Sequence, residues 1–346
     1  FAETFGGAPY DPLEAMLDAE RLDCLHICTP HYLHTPMARL AAEKGIHVFT
    51  EKPPVMDRAQ WADFQALEQA PVRVGVCFQN RYNQSVQLLR RLLDSGRPGK
   101  LLGARAFVTW KREAPYYTES GWRGSLATEG GGVLINQSIH TMDLLVRFLG
   151  RPRQVEASIA NHHLKGVIEV EDTMEAYLDF GGPTALFYAT TAYCANSPVL
   201  VELTCEHATL RMEEREVTVT WADGETQRHS FPEAQPAAQG KAYWGSSHGL
   251  CISDFYRSLR TGAPFPNDGP AFEYCIVHAN EEYYVIAKEL VDSTMKAAKI
   301  EQYEVLGSCL GSELEYIKYR HPFLDRISPI IVGDHVTLES GTGCVH

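Results

Sequence analysis

The sequence predicts an α/β part followed by an α+β part, and a few patterns carry that prediction. Between residues 12 and 78, short apolar runs alternate with helical segments of about ten residues, which is typical of βαβ units and a parallel sheet. From residue 101 to residue 231, strand-like runs follow one another, which favours a largely antiparallel sheet open on one face. Within this second part, three consecutive glycines at 130–132 precede an apolar run of helical period that continues to Phe148.

The predicted elements of the first part place polar residues at strand ends. Helices are expected at 12–19, 35–44 and 58–69, and strands at 21–29, 46–50 and 72–78, with Gly45 ending the second helix. Ligands of a parallel sheet bind beyond the carboxyl ends of its strands. Thr29 and Pro30 at the end of the first strand, and Glu51 and Lys52 at the end of the second, are therefore candidates for a cofactor site.

The second part is predicted to begin with a helix at 83–96 and a strand at 101–110. Further strands are expected at 154–161, 169–180, 184–192 and 199–205. Asp223 and Gly224 indicate a hairpin between 217–221 and 227–231, and a last helix is expected at 244–261.

The Gly-rich segment contains polar residues with helical spacing. If the helix begins near Val133, Asn136, His140 and Asp143 share one face. Glycines allow a ligand to come close, and a histidine near a helix start suits proton transfer. The alternative is a core histidine on an amphipathic helix, which this segment alone favours.

Composition limits the class of protein. The chain has 346 residues, so two or more domains are expected. With 45% hydrophobic and 22% charged residues and a net charge of −13, it is typical of a soluble globular protein and not of a general nucleic-acid or anionic-membrane binder. Nine dispersed cysteines without a C-x-x-C pair predict reduced thiols in the cytoplasm, and we expect no metal site.

Three motifs resemble the Gfo/Idh/MocA family of NAD(P)-dependent sugar and polyol oxidoreductases. They are the TP-x-x-x-H turn that ends at His34, the Glu51-Lys52-Pro53 tripeptide and the Gly-rich segment with H-x-x-D at its end. The resemblance covers residues 1–269 and implies a Rossmann-like domain, NAD or NADP as cofactor, and a homo-oligomer through the second sheet. The cofactor-binding residues that it implies are Thr29, Pro30, His34, Glu51 and Lys52.

The resemblance also implies catalytic roles. His140 would remove the hydroxyl proton and Lys52 would stabilise the developing alkoxide charge. Many family members have an aspartate four residues before the histidine, whereas this chain has Asn136, which puts a carboxylate relay in doubt. The residues predicted to bind a sugar or polyol are Asn136, Trp122, Arg123, Tyr82 and Asp143, with packing and surface solvation as the alternative for Trp122, Arg123 and Tyr82.

One part of the family pattern does not occur in the sequence. There is no G-x-G-x-x-G, which would lie on the first strand–helix turn of a dinucleotide-binding domain. We therefore expect a truncated parallel sheet without its pyrophosphate cradle, and impaired dehydrogenase activity.

Near residue 270 the resemblance changes. Residues 283–290, 318–323, 333–337 and 341–346 resemble the inserted editing domain of isoleucyl-tRNA synthetase. The predicted domains are therefore a partial Rossmann domain at 1–80, a substrate and dimerisation domain at 81–269, and a partial editing domain at 270–346. Two alternatives to the oxidoreductase are an editing-domain fragment that contacts tRNA and a non-catalytic chimera.

Overall fold

A computed structural model describes residues 2–231, 247–261, 265, 273–280, 282–287, 291–300, 302–310, 318–320 and 327–329. The chain divides into two compact units, Phe1–Asn267 and Asp268–His346. The division lies close to residue 270, where the sequence resemblance changes. The first unit contains both sheets that the oxidoreductase-like part of the sequence predicts.

The first sheet is parallel, as predicted. Its strands β1 (Cys24–Ile27), β2 (His47–Thr50) and β3 (Val74–Val76) lie in chain order. The helices of this region are α1 (Ala2–Phe5), α2 (Leu13–Ala19), α3 (His31–Glu43) and α4 (Arg58–Ala66), the last continued by a 3-10 turn at Leu67–Gln69. Buried apolar residues of α2, α3, β1 and β2 form one core with Leu67.

Helix α3 begins at His31, four residues before its predicted start, and it contains Pro36. Pro36 has no N–H to donate to the carbonyl oxygen of Tyr32. The side chain of Gln60 donates to that oxygen instead, at 3.1 Å. The helix ends as predicted, because Gly45 adopts a φ of +74°.

The second sheet has eight strands, in the order β11-β10-β9-β8-β4-β7-β6-β5. The strands are β4 (Leu101–Thr109), β5 (Gln154–Ala160), β6 (Thr173–Asp179), β7 (Thr184–Thr190), β8 (Leu200–Cys205), β9 (Ala208–Glu213), β10 (Glu216–Trp221) and β11 (Thr226–Ser230). All neighbours are antiparallel except β4 and β7. Strand β9 was not predicted, because β8 turns into it through Glu206 and His207, which carry no glycine, asparagine or proline turn signal.

The described part of the first unit contains further helices. They are a 3-10 helix at Gln79–Tyr82, α5 (Gln84–Asp94), α6 (Ala114–Thr118), α7 (Ile139–Leu149) and α8 (His248–Thr261). Residues of α5 and α7 share a core with the second sheet. Helix α8 returns to the parallel sheet, where Phe255 packs on Phe49 with ring centroids 5.1 Å apart. A Cβ on Gly75 would lie 2.6 Å from the Phe255 ring, so β3 needs a glycine there.

The predicted helix start near Val133 is wrong. Residues 133–138 form turns, and α7 begins at Ile139. The cause is Glu171, whose carboxylate accepts from the Gly132 and Leu134 amides at 2.8 and 3.0 Å. Its carbonyl oxygen accepts from the Val133 amide at 3.1 Å. Asn136 therefore does not share a helical face with His140 and Asp143.

The glycines before α7 also serve a different purpose from the one expected. A Cβ on Gly132 would lie 1.8 Å from the Glu171 carbonyl oxygen, and one on Gly130 would lie 2.6 Å from Met56 Cβ. Gly130 also has a φ of +84°. At these two positions the absence of a side chain leaves room for Glu171 and Met56 of neighbouring segments.

The second unit contains a three-stranded antiparallel sheet in the order β13-β12-β14. Its strands are β12 (Glu273–Ala279), β13 (Glu282–Ala287) and β14 (Glu304–Leu310), and α9 (Val291–Ala297) shares their core. Strands β15 (Lys318–Arg320) and β16 (Ile327–Pro329) form an antiparallel pair. In neither unit is a described helix long and apolar enough to cross a membrane.

Candidate active site

Lys52 reaches from the end of β2 to the turn segment before α7. Its ammonium group donates to the backbone oxygen of Asn136 at 2.7 Å and lies 3.4 Å from the side-chain oxygen of the same residue. The parallel sheet thus supplies a cation, and the second part of the unit supplies the oxygens that hold it. This contact joins two sequence-predicted site residues that lie 84 positions apart.

Asn136 connects Lys52 to a buried carboxylate that no sequence motif indicates. The Asn136 amide nitrogen donates to Glu129 Oε1 at 2.5 Å, and the Gly124 N–H donates to Glu129 Oε2 at 2.5 Å. Glu129 is 0% exposed. In the sequence, Glu129 is marked only by its position immediately before the three glycines.

The surroundings of Lys52 bring its pKa close to neutral pH. Burial lowers the pKa of Lys52 to about 8, which Glu51 and Glu129 oppose and the Arg123 charge reinforces. Burial also raises the pKa of Glu129, against its hydrogen bonds from Gly124 and Asn136. Lys52 can therefore release and accept a proton at a moderate free-energy cost.

His140 lies at the start of α7 with one ring nitrogen free. Its Nε2 lies 3.5 Å from the side-chain nitrogen of Gln79, and its ring meets the Phe78 ring edge-on at 5.8 Å. Within the described residues, the buried Nδ1 atom has no hydrogen-bond partner. A buried polar atom in this condition is ready to bond a ligand, because leaving it unpaired is costly.

His140 is a weaker base than an ordinary histidine. Burial, followed by the positive charges of Lys52, His248 and Arg81, lowers the pKa of His140 well below its ordinary value. The imidazole is therefore neutral at physiological pH and holds a proton weakly. Lys52, with a pKa of about 8, is the better matched proton acceptor of the two.

Asp143 and Tyr82 have protein partners. The Arg81 guanidinium donates to both carboxylate oxygens of Asp143, at 2.7 and 2.5 Å. Tyr82 is buried, and its hydroxyl donates to Asp254 at 2.8 Å. The structure does not bring Tyr82 into the hydrogen-bonded network of Lys52, and substrate contact by Asp143 and Tyr82 stays a prediction.

Trp122 and Arg123 form an aromatic and cationic wall near Glu129. The Arg123 guanidinium lies over the rings of Trp122 and Tyr116, at 4.7 and 4.6 Å from their centroids. Trp122 also packs against the ring of His31 at 4.7 Å. In the described part of the chain, Arg123 Nε is buried without a hydrogen-bond partner, so this wall contains an unused donor.

His34 holds together the two loops that carry the other predicted cofactor residues. Its ring nitrogens lie 2.7 Å from the carbonyl oxygens of Pro53 and Thr29. Since His34 is buried, it fixes the Thr29-Pro30 turn against the turn that follows Lys52. Cofactor contacts by Thr29, Pro30, His34 and Glu51 stay predictions.

The donor set fits the nicotinamide end of a dinucleotide. Glu51 and Lys52 follow the carboxyl end of a strand of the parallel sheet. His140, whose Nδ1 has no hydrogen-bond partner among the described residues, lies close enough to Lys52 for the lysine charge to lower the pKa of His140. The sequence contains no G-x-G-x-x-G, and we assign no residue to the pyrophosphate.

The parallel sheet with its flanking helices is Rossmann-like, and residues 1–82 match the model of an oxidoreductase family with an NAD-binding Rossmann fold. Residues 86–211 match the model of the GFO/IDH/MocA C-terminal domain. This part of the chain therefore belongs to the Gfo/Idh/MocA family, as the motifs predicted.

Solved structures of dehydrogenases resemble the chain over most of its length. The WlbA dehydrogenase from Bordetella pertussis, solved with NADH and UDP-GlcNAcA, is 28% identical, with a TM-score of 0.63 over 76% of each chain. Levoglucosan dehydrogenase, solved with NADH and levoglucosan, shares the fold at 21% identity. Its TM-score is 0.66 over 76% of this chain and 77% of that one.

A different relative matches a shorter segment. Isoleucine–tRNA ligase from Caldicellulosiruptor bescii is 53% identical over 75 residues, which are 22% of this chain and 8% of the ligase. The chain thus spans about 8% of the length of the ligase. The match confirms that the chain combines two unrelated similarities.

Proposed function

We propose that the first unit transfers a hydride between the nicotinamide of NAD or NADP and a hydroxyl group of a sugar or polyol. The observation that carries this proposal is the contact of Lys52 with Asn136 beside a neutral His140 that has a free nitrogen. When bound, the nicotinamide supplies the hydride acceptor or donor. The residues of the protein must therefore manage the hydroxyl proton.

In this proposal Lys52 and His140 divide that task. Lys52, with a pKa of about 8, takes the proton from the hydroxyl during oxidation and returns it during reduction. His140 hydrogen-bonds the same hydroxyl and fixes its orientation. Asn136 and Glu129 hold the Lys52 ammonium in place, and the unused Arg123 donor is available to a substrate oxygen.

The test combines cofactor binding with turnover. NADH and NADPH are titrated into the chain by fluorescence, and oxidation is followed with sugars, polyols and UDP-linked sugars. The same assays are run on the chain preceded by a strand, a G-x-G-x-x-G turn and a helix. We expect stronger cofactor binding and higher turnover in the extended chain, because the added turn supplies backbone donors for the pyrophosphate.

The key variant is Lys52→Met. It should lower turnover about 10²–10⁴-fold, the usual contribution of a general base. The exposed Lys165→Met variant is the matched control and should keep full turnover. Equal turnover in both variants would refute the role of Lys52, and failure of the extended chain to bind either cofactor would refute the proposed activity.

We propose no separate activity for the second unit. The segment 341–346, which resembles part of an editing pocket, lies outside the described residues. Contact with tRNA is an alternative that rests on the ligase similarity over 75 residues.

A further inference from the structure

A cluster of side chains with metal-binding chemistry lies beside the candidate active site. Glu51 follows β2, Cys77 follows β3, and His248 is the first residue of α8. One potential ligand atom from each of the three lies within 4.8 Å of the other two. Three separate elements therefore bring a carboxylate oxygen, a sulfur and an imidazole nitrogen together.

The arrangement of these residues is built into the fold. Cys77 is 1% exposed and packs in one core cluster with Cys251 of α8 and Phe49 of β2, and its thiol donates to the side-chain oxygen of Gln79 at 3.8 Å. Cys251 stands three positions after His248 on α8, so both residues lie on the same side of that helix. Helix α8 is fixed against the parallel sheet by the packing of Phe255 on Phe49 and Gly75. The three donors are thus held by rigid elements.

We propose that Glu51, Cys77 and His248 bind one Zn²⁺ ion with an open fourth position. Zinc takes thiolate, imidazole and carboxylate ligands at about 2.0–2.3 Å, and three donors around one ion must lie within a few ångströms of one another. A deprotonated Cys77 and an ionised Glu51 together neutralise the two positive charges of the ion. Sulfur and nitrogen donors favour zinc over magnesium or calcium, which prefer oxygen ligands.

Because Glu51 is also a predicted cofactor residue, the test measures metal binding and not turnover. The full chain is freed of metal with a chelator, kept reduced with a phosphine and titrated with Zn²⁺ in a calorimeter. Co²⁺ is then used as a spectroscopic probe, because a thiolate ligand gives a sulfur-to-cobalt charge-transfer band. We expect one tightly bound ion per chain and a charge-transfer band that saturates at the same ratio.

Variants locate the site. Cys77→Ser and His248→Asn should each weaken Zn²⁺ binding at least tenfold, and Cys77→Ser should remove the charge-transfer band. The control is Cys205→Ser, which changes another buried thiol, in the core of the second sheet, and should bind metal like the parent chain. Circular dichroism establishes that each variant is folded.

Some outcomes would overturn the proposal. An unmodified chain that binds no Zn²⁺, or binds Co²⁺ without a charge-transfer band, has no thiolate-containing site. Zn²⁺ binding that is unchanged in both Cys77→Ser and His248→Asn would place the ion elsewhere. Because His248 is only partly buried, its variant stays informative even if Cys77→Ser does not fold.

Discussion

Asn136 donates its side-chain amide to the carboxylate of Glu129 at 2.5 Å, and its backbone oxygen accepts from Lys52. The family pattern often has an aspartate at this position. In this chain the residue that accepts the hydrogen bond from Lys52 is the neutral Asn136. The carboxylate belongs to Glu129, which is hydrogen-bonded to Asn136. Glu129 therefore acts on Lys52 through Asn136 and through its charge.

Charges around Lys52 should move its pKa in opposite directions. Glu129 raises the pKa of Lys52 and Arg123 lowers it. Glu129→Gln should therefore lower the pKa of Lys52 below about 8, whereas Arg123→Gln should raise it above that value. NMR titration of the lysine side chain measures both, and shifts in the same direction would contradict the electrostatic account.

Lys52 should also make stability depend on pH. Its pKa in the folded chain is about 8 against an ordinary value of 10.5, so between these limits the unfolded chain binds more protons. The free energy of unfolding should therefore gain a positive slope from about pH 8 to about pH 10.5. The parent and Lys52→Met are unfolded with urea at several pH values in this range. The difference between their slopes of unfolding free energy against pH is the contribution of Lys52. Parallel curves would show that Lys52 has an ordinary pKa.

Local sequence signals predicted most of the fold, because they act within one element. Short apolar runs between helical segments predicted β1 to β3, and Gly45 predicted the end of α3. The start of α7 could not be predicted, since residues 133–138 have helical period and the contacts that accompany their turns come from residues outside the segment, Glu171 and Lys52 among them.

The candidate site was only partly predictable for the same reason. Motifs identified Lys52, Asn136 and His140, but Glu129 has no motif of its own. The expectation of no metal site rested on short cysteine spacings, and such spacings cannot reveal a cluster assembled from residues 51, 77 and 248. The lowered pKa of His140 arises from burial and neighbouring charges, which only the folded structure defines.

His140 should matter for turnover more than for cofactor binding. In the extended chain described above, His140→Ala should reduce kcat about 10²–10⁴-fold, because the hydroxyl loses its orienting partner beside Lys52. The affinity for NADH should change little. His162→Ala, at an exposed loop position, is the control and should retain activity. Full turnover of His140→Ala on a substrate that the parent oxidises would leave His140 as a core residue only.

The open face of the second sheet should mediate self-association. Phe107, Tyr177, Leu186 and Tyr188 line a shallow depression on this face together with Glu156 and Glu175, and Leu186 is 56% exposed. Exposed apolar side chains bordered by polar residues are typical of an interaction site. We predict a homodimer that Leu186→Glu converts to monomer in sedimentation velocity measurements. Leu126→Glu, at a residue that is 59% exposed and does not line the depression, should leave the dimer intact. A monomeric parent chain would contradict the prediction.

Gly132 should be the least replaceable glycine of the segment before α7. A Cβ at this position would lie 1.8 Å from the carbonyl oxygen of Glu171, a backbone atom that cannot move alone. Gly132→Ala should therefore break the hydrogen bonds from Gly132 and Val133 to Glu171 and destabilise the first unit by about 3 kcal/mol or more. Gly182→Ala is the control, because a Cβ there meets no atom within 4 Å, and it should change stability by less than about 0.5 kcal/mol. Chemical unfolding of both variants measures the difference. If Gly132→Ala is as stable as Gly182→Ala, Glu171 does not hold the segment in turns, and a helix that begins near Val133 becomes the better description.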